Sequence, residues 1–214
     1  MTMKIHKFVF SPFQENTYVI EGDGKEAIII DPGMYYQEEK ENLQGFIHQH
    51  QLKPVRLINT HCHLDHVFGN AFVYREYGLQ PEYHVLDEPT MALAPKSAEL
   101  YGIPGFDPSP EVLKYLESEQ TIKLGNNSFE IRFCPGHAPG HIVLINHEQK
   151  IVIGGDVLFK GSIGRTDLPG GNYDQLIESI KSQLFDLQDD FVVYSGHGEE
   201  TTIGYEKKHN PFLR

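Results

Sequence analysis

Short runs of β-branched and aromatic residues, each cut off by proline, glycine or asparagine, set the rhythm of the chain. Residues 4–10 (KIHKFVF), 16–20 (NTYVI) and 27–30 (AIII) predict adjacent antiparallel strands separated by Ser11-Pro12 and Gly22-Asp23-Gly24. Asp31-Pro32-Gly33 then reads as a turn. Over residues 36–50, Leu43, Phe46 and Ile47 fall at helical spacing among charges, which predicts an amphipathic helix. Arg56-Leu57-Ile58-Asn59 predicts a buried strand, Phe68, Phe72, Val73 and Tyr77 a helix over 67–77, and residues 82–86 a further strand.

The rhythm breaks over residues 87–119, which are rich in proline, methionine and tyrosine; a short helix, an irregular loop and a short helical turn are expected there. Such a connection is either a functional lid or a self-packed surface insertion, and both readings stay open. Strands resume at 121–124 and 128–134, joined by Gly125-Asn126-Asn127 as hairpin chemistry, and again at 142–146 and 151–153. Tyr173, Leu176, Ile177, Ile180 and Leu184 share one helical face with Asn172 as its N-cap, and residues 191–194 predict a last strand. No internal repeat or low-complexity linker divides the chain, so residues 1–214 are expected to form one α/β domain, compatible with an αββα sandwich.

Composition narrows the functional classes. At 39% apolar residues the chain can fill a real core. Eighteen basic against thirty acidic side chains leave a net charge of −12, which argues against non-specific attachment to nucleic acid or anionic membrane. An anionic small molecule met by one local basic group remains compatible. MTMKIHKFVF carries no apolar run of signal-peptide length and no window is long enough to span a bilayer, so a cytoplasmic location is expected. Cys62 and Cys134 form neither a disulfide framework nor a CxxC pair and are expected as reduced thiols.

The candidate chemistry lies in Thr60-His61-Cys62-His63-Leu64-Asp65-His66, Pro135-Gly136-His137, Gly154-Gly155-Asp156 and Ser195-Gly196-His197-Gly198. Each follows a predicted strand, where open α/β sheets place their sites. Three imidazoles and a carboxylate within residues 61–66 would repel or stand idle in an ordinary loop, whereas borderline divalent metals take neutral imidazole together with carboxylate oxygen. His61 and His63 can converge on one ion with His137 and Asp156. Asp65 and His66 can hold a second with His197, Asp156 bridging the two. Metals about 3.5–4 Å apart can share a bridging hydroxide. A lone loop histidine is usually no ligand, and His6, His48, His50, His84, His147 and His209 are read as surface or packing residues. His141 either orients a ligand or donates a hydrogen bond to its loop. Cys62 is read as structural, its side chain turned from the ions.

In this order and spacing, THCHLDH, PGHAPGH, GGDVLF and SGHGEETT resemble the motif set of the metallo-β-lactamase fold family, within it the glyoxalase-II-like branch. The resemblance covers nearly the whole chain. It implies a four-layer αββα sandwich with ligands at one edge, His61, His63, His137 and Asp156 matching the first metal site and Asp65, His66, Asp156 and His197 the second. Residues 159–167 (FKGSIGRTD) resemble the segment where glyoxalase II carries a basic residue for the glutathione part of its substrate, and Arg165 falls there. A salt bridge with Asp167 is the other reading of that guanidinium. Glyoxalase II proper continues into a C-terminal helical domain. This chain stops at Arg214, and its ending is similar to that of short, single-domain glyoxalase-II-like hydrolases.

The complete ligand set and Arg165 together lead to the expectation of a metal-dependent thioesterase. A metal-bound hydroxide would attack a thioester such as a hydroxyacylglutathione, with Asp65 and Asp156 catalytic and Arg165 binding substrate. Two divalent ions are expected, zinc first, with iron or manganese compatible. The expected partner is a small molecule, neither nucleic acid nor membrane, and nothing in the residues sets an oligomeric state. A mononuclear iron persulfide dioxygenase, using His61, His137 and Asp156, is a second class; a non-catalytic metal-stabilised interaction module is a third. β-Lactam hydrolysis is not expected without an export signal.

Overall fold

A computed structural model describes residues 3–214. Strands β1 (Lys4–Phe10), β2 (Glu15–Glu21) and β3 (Glu26–Ile30) form an antiparallel meander, and helix α1 (Gln37–Gln49) crosses over to β4 (Lys53–Ile58), parallel to β3. Helices α2 (Leu64–Val67) and α3 (Asn70–Tyr77) lead to β5 (Pro81–His84); α4 (Glu88–Leu100) and β6 (Tyr115–Leu116) follow. These strands make one sheet in the order β1-β2-β3-β4-β5-β6. The second half runs β7 (Thr121–Leu124), β8 (Asn127–Phe133), β9 (Ile142–Asn146), β10 (Ile151–Gly155), a small hairpin of β11 (Leu158–Phe159) and β12 (Ser162–Ile163), α5 (Tyr173–Gln183), β13 (Val192–Ser195), β14 (Thr201–Thr202) and α6 (Ile203–His209). Its sheet has the order β14-β13-β10-β9-β8-β7.

Alternation along the strands sorts side chains into layers. Tyr18 and Ile20 of β2 join Ile28, Ile30 and Ile58 in a core shared with Phe129, Ile131, Ile142 and Leu144 of the second sheet. Val19, on the other face of β2, packs with Leu43 and Ile47 of α1. The outer face of the second sheet buries Val143, Ile145, Val152 and Val193 under Leu176, Ile180 and Leu184 of α5. Helix, sheet, sheet and helix are thus the four layers expected. Leu144, fully buried between the sheets, is where truncation to alanine should cost about 2–5 kcal/mol.

Two expectations are corrected. The helix expected over 67–77 is broken: Gly69 donates its N–H to Pro32 O at 2.6 Å and has no room for a side chain against Met34, so α2 and α3 are separate. Residues 111–119 form no helical turn. Tyr115–Leu116 pair with β5, Leu116 is buried in the intersheet core, and Glu119 closes a non-helical turn at a φ of 65°, so a tertiary demand overrides the local pattern. Within the irregular section, α4 is a full helix over Glu88–Leu100 despite the internal Pro95. No helix among the described residues is long and apolar enough to cross a membrane.

Strand direction places the site. β8 and β10 both run antiparallel to β9, and β13 runs parallel to β10, so their C-terminal ends lie at one edge of the second sheet. The loop after β4 meets that edge through the N–H of Ile142, which donates to Thr60 O at 2.9 Å.

Candidate metal centre

The loop after β4 is fixed before its imidazoles are considered. Asp31, at the end of β3, accepts the N–H of Thr60 at 2.7 Å and its hydroxyl at 2.6 Å. Asn59 donates its side-chain amide to His66 O at 2.9 Å, closing the loop on itself. His63 ends the loop, and Asp65 and His66 sit in the single turn of α2.

Four imidazoles are anchored through Nδ1. His61 Nδ1 lies 3.1 Å from Thr60 Oγ1, whose own proton goes to Asp31, and His66 Nδ1 lies 3.2 Å from Asp31 Oδ2. His137 Nδ1 is 2.7 Å from Arg165 O, and His197 Nδ1 is 3.2 Å from Gln14 O. An acceptor at Nδ1 assigns a proton there, and in the neutral rings of His61 and His137 this leaves Nε2 as a lone pair. His61 and His137 therefore turn bare Nε2 atoms toward each other at 3.2 Å, with His63 Nδ1 at 2.8 Å from His137 Nε2. The two lone pairs of His61 and His137 so placed repel unless a cation lies between them.

The carboxylates complete the picture. Asp156 Oδ1 is 3.5 Å from His66 Nε2, and its Oδ2 is 3.6 Å from His137 Nε2 and 3.5 Å from His197 Nε2. Asp65 Oδ2 is 3.2 Å from His197 Nε2. His66 Nε2 and Asp156 Oδ1 are buried with no hydrogen-bond partner among the described residues, an arrangement that costs free energy without a ligand. The donor atoms of His61, His63 and His137 lie within 4.8 Å of one another, as do those of Asp65, His66 and His197. Asp31 forms a third such set with His61 and His66, but its oxygens already take the protons of Thr60 and His66, so it supports rather than chelates. Bare imidazole nitrogens with unpaired carboxylate oxygen are the donor chemistry of a divalent metal site.

Protonation divides the centre in two. Burial holds His61 well below its ordinary value, pushes His63 down to about 3 and lowers His137. Burial also opposes charge on His66 and His197, but Asp156 and Asp65 outweigh it and raise both. For Asp156 burial favours the neutral acid, and His66, His137 and His197 overcome it, holding the carboxyl far below the usual range.

Above these residues opens a cavity of about 440 Å³, walled by Phe13, Leu64, Leu93, Tyr101, Phe159 and Ile163. Arg165 also lines it, its half-exposed guanidinium paired in two bonds with Asp167 at 2.7 and 2.8 Å. His141 lies beneath. It accepts the N–H of Asp156 at Nε2, 3.0 Å away, and stacks on His61 with ring centroids 4.7 Å apart. It accepts that bond where donation to its own loop was one expectation. Cys62 is fully buried, and burial pushes its thiol well up.

Several residues around the centre carried no sequence signal. Asp31 stood in an apparent turn, and Glu15 in an apparent strand edge. Buried Glu15 accepts from Thr17 Oγ1 at 2.8 Å and lies 3.9 Å from His66 Nδ1; burial raises its carboxyl. Asn16 ties β2 to the His197 loop by donating to Ser195 O and Gly198 O at 2.9 and 3.0 Å. Only the Asp-Pro-Gly at 31–33, abutting a strand, could have raised suspicion.

The model of the Metallo-beta-lactamase superfamily matches residues 10–197, most of the chain. The chain belongs to that superfamily. Across the superfamily's sequences, it is 40% identical over 212 residues to hydroxyacylglutathione hydrolase GloC of Haemophilus influenzae, covering 99% of this chain and 98% of that one. Among solved structures it is similar to the BLEG-1 B3 metallo-beta-lactamase, with a TM-score of 0.89 and 34% identity over 98% of this chain and 99% of that one. It is also similar to TTHA1623 in a di-iron-bound form, with a TM-score of 0.87 and 35% identity over 97% and 100% of the two chains. The superfamily membership that the four motifs implied is therefore correct.

Proposed function

We propose that this protein is a two-metal hydrolase of thioesters, with hydroxyacylglutathiones the first substrate class to test. The observation that carries the reading is Asp156, one carboxylate facing His137 and His197 at 3.6 and 3.5 Å through Oδ2 and His66 at 3.5 Å through Oδ1. His61, His63, His137 and Asp156 would hold one ion, and Asp65, His66, Asp156 and His197 the other. Zinc is the first expectation; the ligand types suit iron and manganese too, and a di-iron form of a relative supports iron as the second. Bound divalent metal would lower the pKa of water to about 7 and polarise a carbonyl oxygen.

The chain's own residues supply the rest. Asp65 stays ionised because His66 and His197 outweigh its burial, and it can accept a proton at Oδ2 beside the cavity. Phe13, Leu64 and Leu93 give the acyl group an apolar wall, and Arg165 meets a carboxylate on the thiol part. Cys62, its thiol pushed up by burial, is no nucleophile. The 40% identity to a hydroxyacylglutathione hydrolase along both chains supports the substrate class. The dioxygenase reading needs only His61, His137 and Asp156; the grouping of Asp65, His66 and His197 favours two ions over it. An open cavity over the donors favours catalysis over a silent interaction module. The partner is then a small molecule, with neither nucleic acid nor membrane, and the cytoplasm the proposed location.

The test combines elemental analysis with a substrate panel of glutathione thioesters, glutathione persulfide and a chromogenic β-lactam, the last included because a relative is a B3 metallo-beta-lactamase. Two ions per chain with thioester turnover are expected, and a His61→Ala, Asp156→Ala variant should lose both. One iron per chain with oxygen uptake on the persulfide, or undiminished thioester turnover in that variant, would overturn the proposal.

A further inference from the structure

Asp87 is wholly buried, and nothing in the reaction above uses it. It stands between β5 and α4, yet its carboxylate collects donors from three separate segments. Oδ2 accepts the backbone N–H of Cys62, the residue between His61 and His63. Oδ1 accepts the N–H of Gly140, in the loop between His137 and His141, at 3.0 Å, and the hydroxyl of Thr90 on α4, also at 3.0 Å. Gly140 has no room for a side chain, because a Cβ there would press into the backbone and Cβ of Asp87. Thr90 is at the same time part of the cavity wall.

We propose that Asp87 is a positioning residue. It sets the separation of the loops carrying His61, His63 and His137, and it ties that separation to α4, the wall against which substrate lies. The inference rests on reading those three histidines as metal ligands. The two loops also meet through Ile142 N–H and Thr60 O, which lies on the His61 side; Asp87 adds the tie beside His63. Two acceptor oxygens match three donors only in a carboxylate. Asparagine would set an NH₂ group against a backbone N–H.

The experiment measures metal affinity by chelator competition, visible absorption of the cobalt-loaded protein and thioester KM in wild type, Asp87→Asn, Thr90→Val, Thr90→Ser and His61→Ala. Asp87→Asn should bind metal about 10–100-fold more weakly, with a shifted cobalt spectrum. Asp87 is the N-cap residue of α4 and stays joined to it through the chain, so Thr90→Val removes only the hydroxyl contact that orients the carboxylate against the first turn; it should raise KM with metal affinity at the wild-type value, and Thr90→Ser restores KM. Wild-type affinity and spectrum in Asp87→Asn would overturn the proposal, as would a metal loss in Thr90→Val equal to that of Asp87→Asn. Should Asp87→Asn fail to fold, the threonine pair decides, and an unchanged KM in Thr90→Val overturns the tie. Wild-type metal affinity in His61→Ala would instead overturn the ligand assignment on which the inference stands.

Discussion

His137 donates its Nδ1 proton to the backbone carbonyl of Arg165 at 2.7 Å, so the segment that brings a cation to the cavity also fixes the tautomer of an imidazole at the centre. The link uses the carbonyl and leaves the guanidinium to Asp167. The two contributions therefore separate by mutation. Arg165→Ala is expected to keep its metal and to raise KM for an anionic thioester about fivefold, the scale of one exposed charge-assisted contact of about 1 kcal/mol. Steady-state kinetics beside metal analysis check this; loss of metal would show that the side chain, not the backbone, holds His137.

The metal-loaded centre should empty in two steps as pH falls. Imidazole binds metal only when neutral, so protons compete with ions below each ligand's pKa. Burial lowers His61, His63 and His137, His63 to about 3, so protons compete for these three only at lower pH. His66 and His197 are raised, and competition there begins at higher pH. Acidification from neutral pH is expected to release the ion held by Asp65, His66 and His197 first and the one held by His61, His63 and His137 later. Metal content after dialysis across a pH series would show two plateaus; a single joint loss would contradict the ordering.

Gly196 passes its backbone against the centre. A Cβ there would collide with Asp156 Oδ1 and stand 2.8 Å from His66 Cε1. Gly196→Ala should leave the sandwich folded, displace Asp156 and His66, and weaken metal binding at the Asp65, His66 and His197 set by at least about tenfold. Circular dichroism together with isothermal titration of metal into the apo protein separates the two effects.

Asp31 serves three buried donors, the N–H and hydroxyl of Thr60 and Nδ1 of His66. Asp31→Ala should destabilise the fold by about 1–3 kcal/mol, the cost of buried donors left unsatisfied, and should also weaken metal binding. A urea unfolding midpoint unchanged from wild type would show that water replaces the carboxylate.

How much of this was legible in the sequence depends on distance along the chain. His61, His63, Asp65 and His66 announce themselves because their spacing is local, and His137, Asp156 and His197 because each follows an apolar strand. Asp31, Glu15 and Asp87 are single acids whose contacts toward the centre lie 29, 51 and 53 residues away in Thr60, His66 and Gly140, so no spacing rule links them to it. Glu206 is a similar case. It accepts both the N–H of Gly161 and the hydroxyl of Thr201, pinning the β11–β12 hairpin, but in sequence it is one more charge on a C-terminal stretch. The strand pair at Tyr115–Leu116 was hidden for a related reason: two residues are too short for a period, and a neighbouring strand decides their conformation.

The two sheets contribute unequally and jointly to the centre: the loop after β4 supplies His61, His63, Asp65 and His66, and the far ends of β8, β10 and β13 supply His137, Asp156 and His197. The seam between the two sheets is thus where both donor groupings are completed. A nick in the 101–114 connection would leave each fragment with part of an ion's coordination sphere. Recovered catalysis after mixing such fragments would then be a direct assay of docking between the two sheets.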